Sequence, residues 1–259
     1  MKKELSIEEL HQIVLNIGKE FHKICINNNI PYYILAGTML GAIRHKGFIP
    51  WDDDIDIGIP RQYFSKTINL LRKELPSKYS VTTIEDEIGV WGEIVKIEDT
   101  TTVIKEKDRD THGKDVGAFI DLFPLDYTKN QNYGRFSHNM LIQRLLAAQQ
   151  FIIGNESSSF LAKIYKTIAQ IFGRYCFVRA VKYVVKKKGR FITTYCGFGA
   201  CENVPAEIYG EPVLYKFEDS EFYGLAKPEY YLESLYGNWR ELPKEEERHT
   251  HLLEMYRIK

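Results

Sequence analysis

Apolar residues at Leu10, Ile13, Val14, Ile17, Phe21 and Ile24 recur with a 3.6-residue period, which predicts a helix. Ser6 followed by Glu9 is a capping-box pattern that opens it, and Asn27-Asn28-Asn29 before Pro31 closes it. Residues 32–36 form a short β-prone run, broken by Gly37-Thr38, and 39–45 predicts a short helix. Ile55, Ile57 and Ile59 alternate with polar or small residues, which is strand chemistry, and Pro60 ends that strand. An amphipathic helix is expected over 63–75, followed by β-prone runs near 79–84, 93–97 and 102–105. Another strand is expected over 119–123, stopped by Pro124. Beyond Leu125 the pattern turns helical, over 133–153 and 160–188, joined by Gly154-Asn155-Glu156-Ser157. From Asn203 onward, aromatics, Pro and Gly predict a wrapping tail of short elements.

Composition narrows the class. The 259 residues are 44% hydrophobic and 27% charged, ordinary for a chain that buries a core, and exclude disordered, collagen-like and coiled-coil classes. Thirty-five basic residues balance 35 acidic ones, so a uniformly basic nucleic-acid binder is not expected. The balance hides an asymmetry. Between Ser157 and Cys201 stand nine Lys or Arg and no acid, leaving 26 basic against 35 acidic residues, a net −9, elsewhere. Cys25, Cys176, Cys196 and Cys201 make no CxxC pair, so neither zinc nor a disulfide framework is expected. The start MKKELSIEEL has no apolar signal core, and no run of about 18 apolar residues suggests a spanning helix. A reducing cytoplasm is the expected compartment.

The densest chemistry is Trp51-Asp52-Asp53-Asp54-Ile55-Asp56-Ile57. Strand alternation would put Asp52, Asp54 and Asp56 on one face, where like charges repel and a hard divalent cation is the usual remedy. A solvated acidic turn before an edge strand is the plainer alternative. Upstream, Gly37 permits close backbone approach, and Thr38 with the following helix start can cradle an anion. Asp121 is the acid in an otherwise apolar run, Phe119-Ile120-Asp121-Leu122-Phe123, where a buried charge needs a cation or a donor.

The stretch from Ala36-Gly37-Thr38 through Arg44-His45-Lys46-Gly47-Phe48-Ile49-Pro50 to Trp51-Asp52-Asp53-Asp54-Ile55-Asp56 resembles the LicD family of phosphocholine transferases, related to fukutin-type phospho-alditol transferases within the nucleotidyltransferase superfamily. Phe119-Ile120-Asp121-Leu122-Phe123-Pro124-Leu125-Asp126 and Tyr236-Gly237-Asn238-Trp239, with later Arg248 and His251, fit the same resemblance. It implies an α+β fold: a nucleotidyltransferase-like mixed sheet with flanking helices plus a mostly helical annex. It also implies a two-metal site, with Asp54, Asp56 and Asp121 holding Mg2+ or Mn2+, two ions in all. The donor would be a CDP-linked alcohol such as CDP-choline. The acceptor would be a hydroxyl of a cell-surface glycan or its lipid-linked precursor, as in capsule, lipopolysaccharide or teichoic acid modification, and CMP would leave. Gly37, Thr38 and the helix end at Met39 would hold the diphosphate. Arg44, His45, Lys96 and His251 are further substrate-binding candidates. Arg44 reads equally as a salt bridge to the acidic strand, and Lys96 as a solvated edge lysine. A true nucleotidyltransferase releasing pyrophosphate and a degenerate nucleotide-binding domain are the alternatives. The alcohol carried stays open among choline, ethanolamine, glycerol and ribitol.

The expected organisation is a catalytic core over 1–128, a basic helical annex over 129–202 and an aromatic-rich tail over 203–259 that packs back on the core. In the annex, Lys163, Lys166, Thr167, Gln170 and Arg174 form one polar stripe, with Phe160, Leu161, Ile164, Ile168, Ile171, Phe172 and Tyr175 around the rest. This reads either as a helix packed on the core with a solvated basic face or as a surface anchor for anionic lipid. A bend is expected near Gly173.

Overall fold

A computed structural model describes residues 3–86, 92–106, 116–131, 134–153, 160–195, 199–248 and 252–258. The chain opens with β1 (Lys3–Glu4) and α1 (Ile7–Asn27). The predicted capping box is present: Ser6 accepts from the Glu9 amide and Glu9 from the Ser6 amide. The apolar stripe of α1 is buried from Leu10 to Ile24, and Asn29 turns the chain out of the helix at φ 53°, a conformation Asn tolerates. Then follow β2 (Tyr33–Ile34), α2 (Ala36–Arg44), β3 (Asp56–Pro60), α3 (Arg61–Glu74), β4 (Tyr79–Thr82), β5 (Val95–Glu106) and β6 (Val116–Thr128). Next are the helices α4 (His138–Ile153), α5 (Phe160–Phe172) and α6 (Cys176–Val184). The last part holds β7 (Phe191–Thr193), β8 (Val204–Pro205), α7 (Ala206–Tyr209), β9 (Val213–Phe217), β10 (Ser220–Gly224), α8 (Pro228–Tyr236) and β11 (Leu252–Arg257).

The main sheet runs β1-β11-β5-β6-β3-β2, with β4 also on β5 and with β7 and β8 extending from β6. It is mixed: β3 and β6 are parallel, the other pairs antiparallel. This is the α+β nucleotidyltransferase-like arrangement expected, with α4, α5 and α6 as helical annex. The last strand, β11, returns to pair with β5 and β1. A small second core of Ile84, Ile142, Leu146, Val178, Val181 and Tyr195 lies beneath α4 and α6.

Two strand expectations are corrected. Pro124 does not stop β6. The Asp121 amide donates to the carbonyl of Ile55, just before β3, so by alternation the Pro124 nitrogen faces the other neighbour. On that side β5 pairs only up to Leu122 and β7 begins at Asp126, so no partner misses the absent N–H. The runs at 93–97 and 102–105 are one strand, β5. The polar stretch between them is an irregularity in which Asp99 accepts from the Thr101 amide at 2.9 Å and the Thr102 hydroxyl donates to the Asp99 carbonyl at 2.8 Å. Helix boundaries shift as well. The helix expected from 133 begins at His138, after Ser137 accepts from the Met140 amide, and the break near Gly173, at φ 93°, divides α5 from α6.

One ion network ties α3 to the sheet. Arg61 reaches both Asp126, at 2.8 Å through Nε, and Glu93, at 2.8 and 2.9 Å. Both acids are buried, and burial pushes the Asp126 carboxyl above the usual range against the pull of Arg61. Removing the cation leaves two buried acids facing each other. Arg61→Met is expected to cost about 3–5 kcal/mol, read as a fall in the urea midpoint at neutral pH. Little change would mean that the three groups are not mutually dependent.

Candidate active site

Strand register assembles the site. Asp56 of β3 stands opposite Asp121 of β6, and Asp121 stands opposite Lys96 of β5. Residues in register share a face, so the three form a row across the sheet. Asp54 arrives from the unpaired backbone before β3. The expected strand over the whole acidic run is therefore corrected: regular pairing begins at Asp56. Carboxylate oxygens of Asp54, Asp56 and Asp121 nevertheless lie within 4.8 Å of one another, and those of Asp52, Asp53 and Asp54 form a second such group. Asp54 belongs to both.

The upstream turn fastens this row. The Leu35 amide donates to the Asp56 carbonyl at 2.9 Å, and the Asp56 amide donates to the Thr38 hydroxyl at 2.8 Å. Ala36 carries a φ of 42°, a backbone strain of order 1 kcal/mol held by its surroundings. Helix α2 begins at Ala36 and not at Met39, so the Met39 amide is already spent on the Leu35 carbonyl. The first-turn amides of Ala36, Gly37 and Thr38 are the ones that a helix leaves over, and that of Ala36 donates to Tyr231. Gly37 is required by crowding. A Cβ there would stand 2.6 Å from Asp52 Oδ2, so an acid of the chain itself sits at this helix start.

Lys96 is at the site but not as a solvated edge lysine. It is buried, its ammonium lies 2.7 and 3.0 Å from the two Asp121 oxygens, and it sits 3.1 Å over the Phe119 ring. Arg44 does not make the salt bridge to the acidic strand; it lines the cavity beside the acids and donates to the Trp239 carbonyl at 3.0 Å and to the Glu241 carbonyl at 3.3 Å. His45, just past the end of α2, accepts from Arg44 Nε at 2.9 Å, and burial followed by the Arg44 charge holds its pKa below the usual value. His251 lies outside the described residues, as does His249.

Beside the acids opens a cavity of about 490 Å³ whose walls include Gly37, Arg44, Trp51, Asp52, Tyr236 and Trp239. Asp52 joins it to the carboxylate group. The tail residues Tyr236 and Trp239 were legible only as part of a matching motif, without a role. Here Arg44 clamps their segment against α2. The Tyr236 phenol is pushed up by burial and then by Asp56 and Asp52. The Trp239 indole N–H is buried with no hydrogen-bond partner among the described residues. His11, also missed, holds the Asp52 carbonyl at 2.7 Å.

The acid row is electrostatically costly. Burial, then Asp56, Asp52 and Asp121, push Asp54 well above the usual carboxylate range. Burial, then Asp121 and Asp52, do the same to Asp56, and Lys96 pulls it back. Half-buried, mutually repelling oxygen donors fit a hard divalent cation, and no thiolate or imidazole among the described residues joins the group.

The comparisons with known proteins agree with this geometry. Residues 29–148, which contain all three carboxylates and Gly37-Thr38, match the family model LicD/FKTN/FKRP, nucleotidyltransferase domain. Residues 29–148 belong to the LicD/FKTN/FKRP family. Over 96% of this chain and 97% of its own length, lipopolysaccharide cholinephosphotransferase LicD of Haemophilus influenzae is 28% identical. Ribitol-5-phosphate transferase FKTN of Mus musculus is 36% identical over 61 residues, 23% of this chain and 13% of its own length. An uncharacterized protein of Rickettsia prowazekii, RP689, is 50% identical over 58 residues, 22% of this chain and 19% of its own length.

The repulsion generates a pH test. With folded pKa values raised, Asp54 and Asp56 keep protons that the unfolded chain releases, so their contribution to stability falls as pH climbs above the ordinary carboxylate value. In EDTA, the wild type is expected to lose melting temperature from pH 5 to pH 8, and Asp54→Asn to lose less. The variant should exceed the wild type at pH 8 by about 2–4 °C for each kcal/mol of repulsion relieved. Parallel curves would show that the acids do not strain the fold.

Proposed function

We propose that the protein transfers a phospho-alcohol from a CDP-linked donor to a hydroxyl of a cell-surface glycan or its lipid-linked precursor, releasing CMP. The observation that carries this reading is Asp52. It belongs both to the acidic group and to the wall of a cavity large enough for a small nucleotide-linked ligand. Choline leads among the transferred alcohols because the Haemophilus influenzae relative is a cholinephosphotransferase; the mouse relative makes ribitol phosphate the next choice.

In this reading the acceptor hydroxyl attacks the phosphorus distal to cytidine, the bond from that phosphorus to the CMP oxygen breaks, and CMP leaves. Mg2+ or Mn2+ held by Asp54, Asp56 and Asp121 would neutralise the diphosphate and make the hydroxyl more acidic. Asp121 would take the hydroxyl proton. Lys96 holds Asp121 oriented and brings one positive charge to the row. Thr38 fixes the Asp56 backbone and hence the direction of its carboxylate. Trp51, Tyr236 and Trp239 offer aromatic surface to a base or a quaternary ammonium group. Arg44 contributes by holding that wall in place; Gly37 leaves room for the Asp52 carboxylate at the cavity wall; His45 supports Arg44. His251 remains a substrate-binding candidate on the family resemblance.

Purified protein with Mg2+, CDP-choline, CDP-ribitol or CDP-glycerol and candidate glycans is expected to release CMP from one donor. EDTA should abolish release and Mn2+ or Mg2+ restore it. Asp54→Asn and Asp56→Asn should each lower the rate by at least about a hundredfold, as loss of a group that organises transition-state charge does. Near-normal CMP release from either variant would refute the carboxylate assignment. Pyrophosphate release from CTP would replace the reading with nucleotidyl transfer.

A further inference from the structure

Helix α5 is turned inside out. At 100° per residue its side chains fall into three sectors. Phe160, Leu161, Ile164, Ile171 and Phe172 share one sector of about 120° and are 77%, 56%, 39%, 70% and 70% exposed. Only the small residues Ala162 and Ala169 are buried against the protein. Lys163 and Lys166 occupy the third sector. Residues that ordinarily drive burial therefore form a contiguous outward patch, the exception that calls for a partner.

The flanks indicate its chemistry. The segment from Ser157 to Cys201 has nine cations and no acid. Arg179 is engaged by Glu85 at 3.1 Å, whereas Lys163 and Lys182 are exposed. Past α6 come Lys186, Lys187 and Lys188. His138 bonds the Val184 carbonyl at 2.8 Å, which places Phe136 and Tyr183, 92% and 91% exposed, at the same end of the α4–α6 pair as these lysines. A symmetric contact with a second copy would set this cationic segment against itself with no acid within the segment to offset it. An anionic bilayer surface satisfies both features, taking the apolar arc among its acyl chains and the cations among its headgroups. No helix among the described residues is long and apolar enough to cross a membrane, so any such contact by these helices is interfacial.

We propose that α5, with the lysines around α6, is a docking surface for anionic lipid. The inference stands on these helices and not on the reaction assigned above. The full chain is sedimented at low salt with vesicles of phosphatidylcholine alone or mixed with phosphatidylglycerol. Binding is expected only with phosphatidylglycerol and should fall steeply at high salt. Lys163→Gln with Lys166→Gln should weaken it about thirtyfold, and Phe160→Ser with Phe172→Ser at least about tenfold. Because these side chains are exposed or half-buried, melting temperatures should stay near wild type, so loss of binding is not loss of fold. Absence of binding at low salt, equal binding to neutral vesicles, or indifference to both pairs of substitutions would each overturn the proposal. So would a dimer in sedimentation velocity that Phe160→Ser with Phe172→Ser disperses while vesicles go unbound, which would assign the patch to a second copy.

Discussion

The parallel register between β3 and β6 is the constraint on which the rest of the site depends. It sets Asp56 beside Asp121, and through the next strand it sets Lys96 beside Asp121. A slip of one residue would turn the β3 carboxylate toward the core and bring an isoleucine to the site. That slip is opposed twice. Ile55, Ile57 and Ile59 are fully buried on the opposite face, so the apolar alternation permits only one phase. Thr38 then fixes the phase from outside the sheet by accepting the Asp56 amide. The ordinary packing that makes the core also aims the chemistry.

The row is acidic enough to resist its own assembly, and the surrounding structure shows how the charge is contained. Lys96 brings one cation, buried and seated on the Phe119 ring. The irregular backbone over Asp52 to Ile55 brings the Asp52, Asp53 and Asp54 carboxylates into one group, and His11 anchors it at the Asp52 carbonyl. The turn that precedes it is held from the far end of the chain. Glu218, at the tip of the β9–β10 hairpin, accepts from the Phe48 amide at 3.0 Å and donates its own amide to the Lys46 carbonyl at 2.7 Å. A Cβ on Gly47 would collide with that Glu218 carboxylate.

Much of this was legible in the residues. The period of α1, its capping box, the Ile alternation of β3 and the acid within the apolar run 119–123 all rest on local chemistry that survives packing. The break at Gly173 was legible because the polar stripe changes phase there. What escaped was non-local. Pro124 looks like a stop until the neighbouring strands are known to change over beside it. Asp99-Thr100-Thr101-Thr102 looks like a loop until its side chains are seen to replace ladder bonds. The hold of Arg44 on the tail escaped because its partners, two carbonyls, stand almost 200 positions away. For α5 the stripe was legible, but no periodicity says which side of a helix faces the protein.

The cavity joins the two ends of the sequence, and this gives the site an order of construction. The three carboxylates and their lysine are all present once β6 has been made. The wall carrying Tyr236 and Trp239 comes roughly 115 residues later, and closing it through Arg44 spans a very long loop. Contacts of such sequence separation form late, because the loop entropy must be met first. The growing chain thus holds a charge-bearing centre before it has a chamber in which to use it, and the closing of the tail marks the step from an acid cluster to a site that can select its ligand.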